Sequence, residues 1–142
     1  MGDLAERDVA AAVDAMRSAA AATGGSWKVE WGAPGTFPAA GLPRVIWLGL
    51  ADPAVTITVQ GLLMAELKVR GLPADDRPFR PHLTVARVRG SLSRDRARAV
   101  ARVARSLVPP PPAVVDALVL YQSTAVASGT AYRELARAAL AG

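Results

Sequence analysis

Apolar and polar positions follow two rhythms along this chain, one helical and one alternating. From Leu4 to Ala22 the apolar residues Val9, Val13 and Met16 recur at i, i+4 and i+7, which predicts a first helix with one buried stripe. Asp3 stands where an N-cap belongs, Glu6 lies three residues on in a box-like arrangement, and Gly24–Gly25 supplies the stop. Trp27-Lys28-Val29-Glu30-Trp31 alternates with period two and predicts a half-buried strand. The Gly- and Pro-rich run from Gly32 to Leu42 predicts a loop, and the nearly all-apolar Arg44–Leu50 a buried strand.

Asp52-Pro53 opens a second helix, whose stripe of Val55, Val59, Leu62 and Leu63 continues toward Gly71. The β-branched run Val55–Val59 leaves a strand open as the alternative. A loop over Gly71–Phe79 follows, then a strand over Arg80–Arg89. Next comes an arginine-rich helix over Ser91–Leu107, broken by Pro109–Pro112. Ala113–Ser123 reads as a strand and Ala131–Ala136 as a last strand, with a short terminal helix as the alternative. The order α-β-β-α-β-α-β-β predicts an α+β fold of antiparallel sheets with helices on one face, in a single domain over residues 1–142.

Composition narrows this picture. The chain is 51% hydrophobic with only 5% aromatic residues, so its core must be packed with small side chains. The absence of cysteine excludes disulfides, thiol nucleophiles and thiolate metal sites, and it fits a cytoplasmic protein. No apolar run is long enough to span a bilayer, and the acidic start Met1–Asp8 is not a secretory signal. A net charge of +5 favours a polyanion partner such as RNA, although arginines that merely solvate helices explain the charge equally well. The chain holds no convincing Gly-rich phosphate loop, acidic metal cluster or serine-nucleophile motif.

The candidate chemistry sits in Arg80-Pro81-His82-Leu83-Thr84-Val85-Ala86-Arg87, which contains the chain's single histidine. Strand alternation puts His82 and Thr84 on one face and turns Leu83 and Val85 to the other, into a core. An imidazole moves protons near neutral pH, and a hydroxyl donates to a phosphoryl oxygen. Taken alone, the His-x-Thr pair favours a structural histidine.

The surrounding residues add to this. His-x-Thr after Arg-Pro and before a further Arg resembles the second signature motif of the 2H phosphoesterase superfamily. It is most similar to the RNA 2′,3′-cyclic phosphodiesterase branch, also named 2′-5′ RNA ligase. Gly35-Thr36-Phe37-Pro38 and Pro43-Arg44-Val45-Ile46-Trp47 resemble that family's loop and central strand. Asp76-Arg77-Pro78-Phe79 resembles its run into the motif, and Leu118–Ser123 with Gly129 and Tyr132 its closing strands. The resemblance implies a bilobal fold with pseudo-twofold antiparallel sheets and flanking helices, each lobe bringing one His-x-Thr strand. It implies hydrolysis of 2′,3′-cyclic phosphate ends of RNA without metal or nucleotide cofactor. One histidine activates water, the other protonates the leaving ribose oxygen, and the threonines hold the phosphate. Carried onto this chain, His82 is the general base, Thr84 a phosphate donor and Arg87 a charge partner for the phosphate. Strict alternation puts Arg87 opposite His82, so its role requires a bend or bulge.

The family's first His-x-Thr motif has no counterpart here. Met1-Gly2-Asp3-Leu4 resembles the end of the stretch that follows it, so the first strands are expected to be missing and Met1 to be a misassigned or secondary start. Impaired hydrolysis is the corresponding expectation, and a non-catalytic RNA-end or nucleotide-binding remnant is the alternative. Arg98, Arg102 and Arg105 fall on one helix face, which reads as solvated before it reads as an RNA-backbone patch. Trp27, Trp31, Trp47 and Tyr121 read as packing residues, and Pro109–Pro112 as a rigid connector.

Overall fold

A computed structural model describes residues 5–75, 77–127 and 129–140, and within them the chain forms three α-helices and seven strands. The elements group into two compact units: one of Met1–Trp27, Val55–Phe79 and Val114–Gly142, the other of Lys28–Ala54 and Arg80–Ala113. The short strands β1 (Trp27–Val29) and β5 (Ala113–Val115) lie where the chain passes from one unit to the other.

The first unit contains α1 (Val9–Ala22), α2 (Ala54–Val69) and the hairpin of β6 (Ala117–Val126) with β7 (Gly129–Ala139). Its core joins Ala12, Ala15, Met16 and Ala20 of α1 to Leu67, Leu72, Leu120, Ala138 and Leu140. The buried stripe of α1 is therefore led by alanine, while Val9 and Val13 are only half-buried at its margin. Small side chains let the helix approach its neighbours closely, and valines at those positions would hold it away. Arg70 adds a polar tie, pairing with Glu66 one turn back on α2 and donating to Ser18 Oγ on α1 at 3.0 Å.

Helix α1 begins later than expected. Glu6–Asp8 is a 3₁₀ turn, and the expected N-cap Asp3 and first residue Leu4 lie outside the described residues. The helix ends as expected: Thr23 Oγ1 donates to the Ala19 carbonyl at 2.8 Å, and Gly24 and Gly25 follow with φ of 79° and 134°. The Val55–Val59 run is helical rather than extended. Asp52 Oδ1 accepts from the Ala54 amide at 3.0 Å and starts the turn, and Val59 and Leu67 are buried on one side.

The second unit is a three-stranded antiparallel sheet in the order β2-β3-β4, made of Trp31–Phe37, Val45–Leu50 and His82–Arg87, with α3 (Arg94–Arg105) against β2. The run expected as a loop over 32–42 is thus a strand as far as Phe37. An edge strand tolerates Pro34, which has no N–H to offer a ladder, and a bulge between Trp31 and Pro34 takes up an extra residue. Gly32 is required there, since a Cβ would stand 2.9 Å from the Leu50 carbonyl oxygen. Ser93 caps α3, accepting from the Arg96 amide at 3.3 Å, and Ala97 and Ala104 are its buried residues.

Two expected strands are each divided. Glu30 separates β1 from β2, and Asp116 separates β5 from β6, its carbonyl accepting from the Leu140 amide at 2.8 Å. The last strand is longer than expected, so the alternative of a terminal helix is not taken up among the described residues. No helix of the described residues is long and apolar enough to cross a membrane.

Candidate functional site

Pro81 cannot donate to a ladder, and β4 begins at the next residue, His82. Against β3, His82 pairs with Gly49, Leu83 with Leu48 and Thr84 with Trp47; the register then shifts, and Ala86 pairs with Ile46 and Arg87 with Val45. Val85 is the residue left over in the bulge. Paired residues share a face of a sheet. One face therefore carries His82, Thr84 and Arg87 from β4 and Val45, Trp47 and Gly49 from β3. Their β2 partners Gly35 and Phe37 lie on it too. Arg87 lies five positions after His82, an odd interval that would put them on opposite sides of a regular strand. The bulge brings them to the same side.

Two glycines open space on this face, and Trp47 fills it. A Cβ on Gly35 would lie 2.2 Å from Trp47 Cζ2, so the indole can rest on β2 only because residue 35 has no side chain. Phe37 stacks on Trp47 with ring centroids 5.1 Å apart. The imidazole of His82 meets Phe37 edge-on at 5.3 Å, with planes at 79°, and lies 6.1 Å from Trp47.

His82 Nδ1 is 2.6 Å from the carbonyl oxygen of Arg80. A carbonyl only accepts, so Nδ1 carries the proton of this bond and the neutral ring keeps its lone pair on Nε2. His82 and Arg87 are exposed and Thr84 is half-buried. Among the described residues, neither the Thr84 hydroxyl nor the Arg87 guanidinium is engaged in a hydrogen bond or ion pair. Among the described residues, the strands of this face contribute no carboxylate to it. A proton acceptor, a hydroxyl donor and a fixed cation on one surface suit an anionic phosphoryl group.

Leu83 and Val85 do not enter a core as expected; they are 40% and 44% exposed. β4 is the edge of its sheet, so its side chains are flanked on one side only, and the apolar packing behind the sheet centres on Leu48 of β3, which is buried. Arg98, Arg102 and Arg105 form an exposed row, with Arg98 paired to Asp95 at 3.5 Å.

Sequence reasoning missed Phe37 and Trp47 as neighbours of His82, because the first sat in a presumed loop and the second in a strand read as packing. The usable signal was Gly35, two residues before Phe37, but its meaning depends on the cross-strand register with Trp47. Four other aromatics pack elsewhere. Trp27 flanks the core cluster, Trp31 Nε1 donates to the Pro111 carbonyl at 3.0 Å, and Tyr121 meets Tyr132 edge-on at 6.4 Å. Among the described residues no three His, Cys, Asp or Glu side chains gather as metal ligands.

Comparison with known proteins agrees with this geometry. The family model of the 2′-5′ RNA ligase superfamily matches residues 2–127. An RNA 2′,3′-cyclic phosphodiesterase of Methanothermobacter thermautotrophicus is 39% identical over 62 residues, covering 44% of this chain and 33% of that protein. One from Archaeoglobus fulgidus is 33% identical over 63 residues, covering 44% and 35%. The chain thus matches about a third of the length of these curated relatives. Apo LigT of Escherichia coli superposes with a TM-score of 0.69 at 22% identity, over 99% of this chain and 72% of LigT, a likeness of fold.

Proposed function

We propose, starting from the fact that this chain belongs to the 2′-5′ RNA ligase superfamily, that the β2-β3-β4 face binds and hydrolyses 2′,3′-cyclic phosphate ends of RNA. The observation that carries this reading is the shared face of His82, Thr84 and Arg87, with the Nδ1 of His82 engaged and its Nε2 left to accept a proton. Nε2 of His82 takes a proton from water as the water oxygen bonds to phosphorus. The bond from phosphorus to one ribose oxygen breaks, and that oxygen takes a proton from solvent water as it leaves. Thr84 Oγ1 donates to a phosphoryl oxygen, and Arg87 balances the charge that builds on the phosphate. These steps draw on no metal or nucleotide cofactor.

His82 is the only histidine of the chain, so no second imidazole protonates the leaving oxygen. Loss of one of two acid–base groups costs on the order of 10²–10⁴ in rate. Turnover by this chain is therefore slow, and the same observation favours a second reading, a site that binds the RNA end without turning it over.

The test uses a short RNA ending in a 2′,3′-cyclic phosphate and the purified chain, with phosphomonoester formation followed by chromatography and binding by fluorescence anisotropy. The expected result is slow hydrolysis that disappears in His82→Ala, with the melting temperature kept because His82 is exposed. Binding that depends on His82 and Thr84 with no product would favour the second reading. If neither binding nor turnover responds to His82→Ala, both readings are wrong.

A further inference from the structure

We infer that Trp47, seated on Gly35, is a positioning residue that holds the His82 imidazole in its Nδ1–H tautomer and so reserves Nε2 for the proton transfer. The inference deepens the reading given above and rests on it for its kinetic part; its structural part stands alone.

An exposed histidine on an edge strand is free to turn about two side-chain bonds, and a neutral imidazole in water samples both tautomers. Three contacts restrain this one. The Arg80 carbonyl accepts from Nδ1 at 2.6 Å, the Phe37 ring stands edge-on at 5.3 Å, and the Trp47 ring lies at 6.1 Å. Phe37 in turn leans on Trp47, at 5.1 Å and 28° between planes, so displacing the indole would disturb both neighbours of the imidazole.

What holds the indole is shape. Trp47 Nε1 is buried with no hydrogen-bond partner, so no polar tie places the ring. Its position is set by the absence of a side chain at Gly35, where a Cβ would overlap the ring at 2.2 Å from Cζ2. A Cβ on Gly49 would come within 3.4 Å of Cζ3. The buried, unpaired indole N–H carries a desolvation cost, which the site bears to keep a ring in this position. Packing of this kind restricts a catalytic side chain to one orientation, and a misplacement of about 1 Å can cost on the order of 10²-fold in rate.

His82 is the only histidine, so a long-range ¹H–¹⁵N spectrum of the imidazole contains one set of signals. In the intact chain at alkaline pH we expect a pyrrole-like Nδ1, a pyridine-like Nε2 and ring protons displaced by the aromatic neighbours. Trp47→Leu and Gly35→Ala should mix in the Nε2–H tautomer and abolish the displacement, and Trp47→Phe should restore both. In the hydrolysis assay the first two variants should lower kcat about tenfold or more with KM little changed. A nucleobase-stacking role for Trp47 would instead raise KM and leave tautomer and kcat alone, which overturns the inference. An Nε2–H tautomer in the unaltered chain, or a spectrum indifferent to Trp47→Leu, overturns it too. Since Gly35→Ala could unfold the sheet, Trp47→Leu and Trp47→Phe, which add no atoms, decide the matter with circular dichroism as the fold control. Should the chain hydrolyse no cyclic phosphate, the proposed function fails while the tautomer measurement still judges this inference.

Discussion

In the α1–α2–β6–β7 unit the informative residues are buried and apolar; in the β2-β3-β4 sheet they are half-exposed and include an imidazole, a hydroxyl and a guanidinium. The first unit closes nine residues, from Ala12 to Leu140, into one contiguous core. In the sheet only Leu48 is buried, and the rings of Phe37, Trp47 and His82 gather on a face that solvent reaches. Stability and the proposed chemistry thus rest on different residues, and substitutions should separate them.

The largest separation is expected at Leu67, whose side chain is fully buried. Leu67→Ala should destabilise the chain by about 2–5 kcal/mol in urea unfolding. Below the transition the imidazole signals of His82 should be unchanged; if they move as well, the two regions are not separable. A smaller effect in the opposite sense is expected at Thr84. Thr84→Val keeps the shape and removes the hydroxyl that the proposed function has donating to the phosphate; a hydrogen bond to a charged group is worth about 1.5–3 kcal/mol. Its loss should appear as weaker binding or slower turnover of a 2′,3′-cyclic phosphate end, with an unchanged melting curve. A fall in melting temperature without a change in binding would return Thr84 to a purely structural role.

The smallest effect belongs to Asp75 and Arg77. The Arg77 side chain donates to Asp75 and holds its carboxyl well below the usual carboxylate range. A depressed folded-state pKa contributes stability above the unfolded value of about 3.9 and loses it as pH falls through the folded value. Both groups are open to solvent, so this contribution is small. Arg77→Ala should bring the Asp75 carboxyl back toward about 3.9 in an NMR titration, while the melting temperature near pH 7 barely moves. An unshifted titration would show that the pair does not persist in solution.

The helices were legible because their signals are local: Asp52 before α2 and the glycines after α1 each act within one turn, whereas α3, expected from Ser91, starts only at Arg94, behind a Ser93 cap. The alternation around His82 was legible for the same reason. The strand over Trp31–Phe37 was not, because Gly32 and Gly35 are explained by Leu50 and Trp47, more than ten residues away, and Pro34 by its place on an edge strand. The aromatic surround of His82 failed for that reason too. Leu83 and Val85 have the composition of core residues, and nothing in their own stretch announces that β4 ends its sheet. For Arg87, counting residues from His82 stated the requirement of a bulge, and only the pairing with β3 located it at Val85.

That bulge makes strand length itself a variable of the site. Parity, rather than residue type, decides which side the guanidinium takes. Deleting Val85 would shorten the interval from His82 to Arg87 to an even count, and a regular ladder would keep both on one side. Inserting one residue between Ile46 and Trp47 would give Val85 a partner, straighten β4 and carry Arg87 to the other side with its identity intact. Substitution scanning leaves this property untouched at every position, whereas a pair of single-residue length variants addresses it directly.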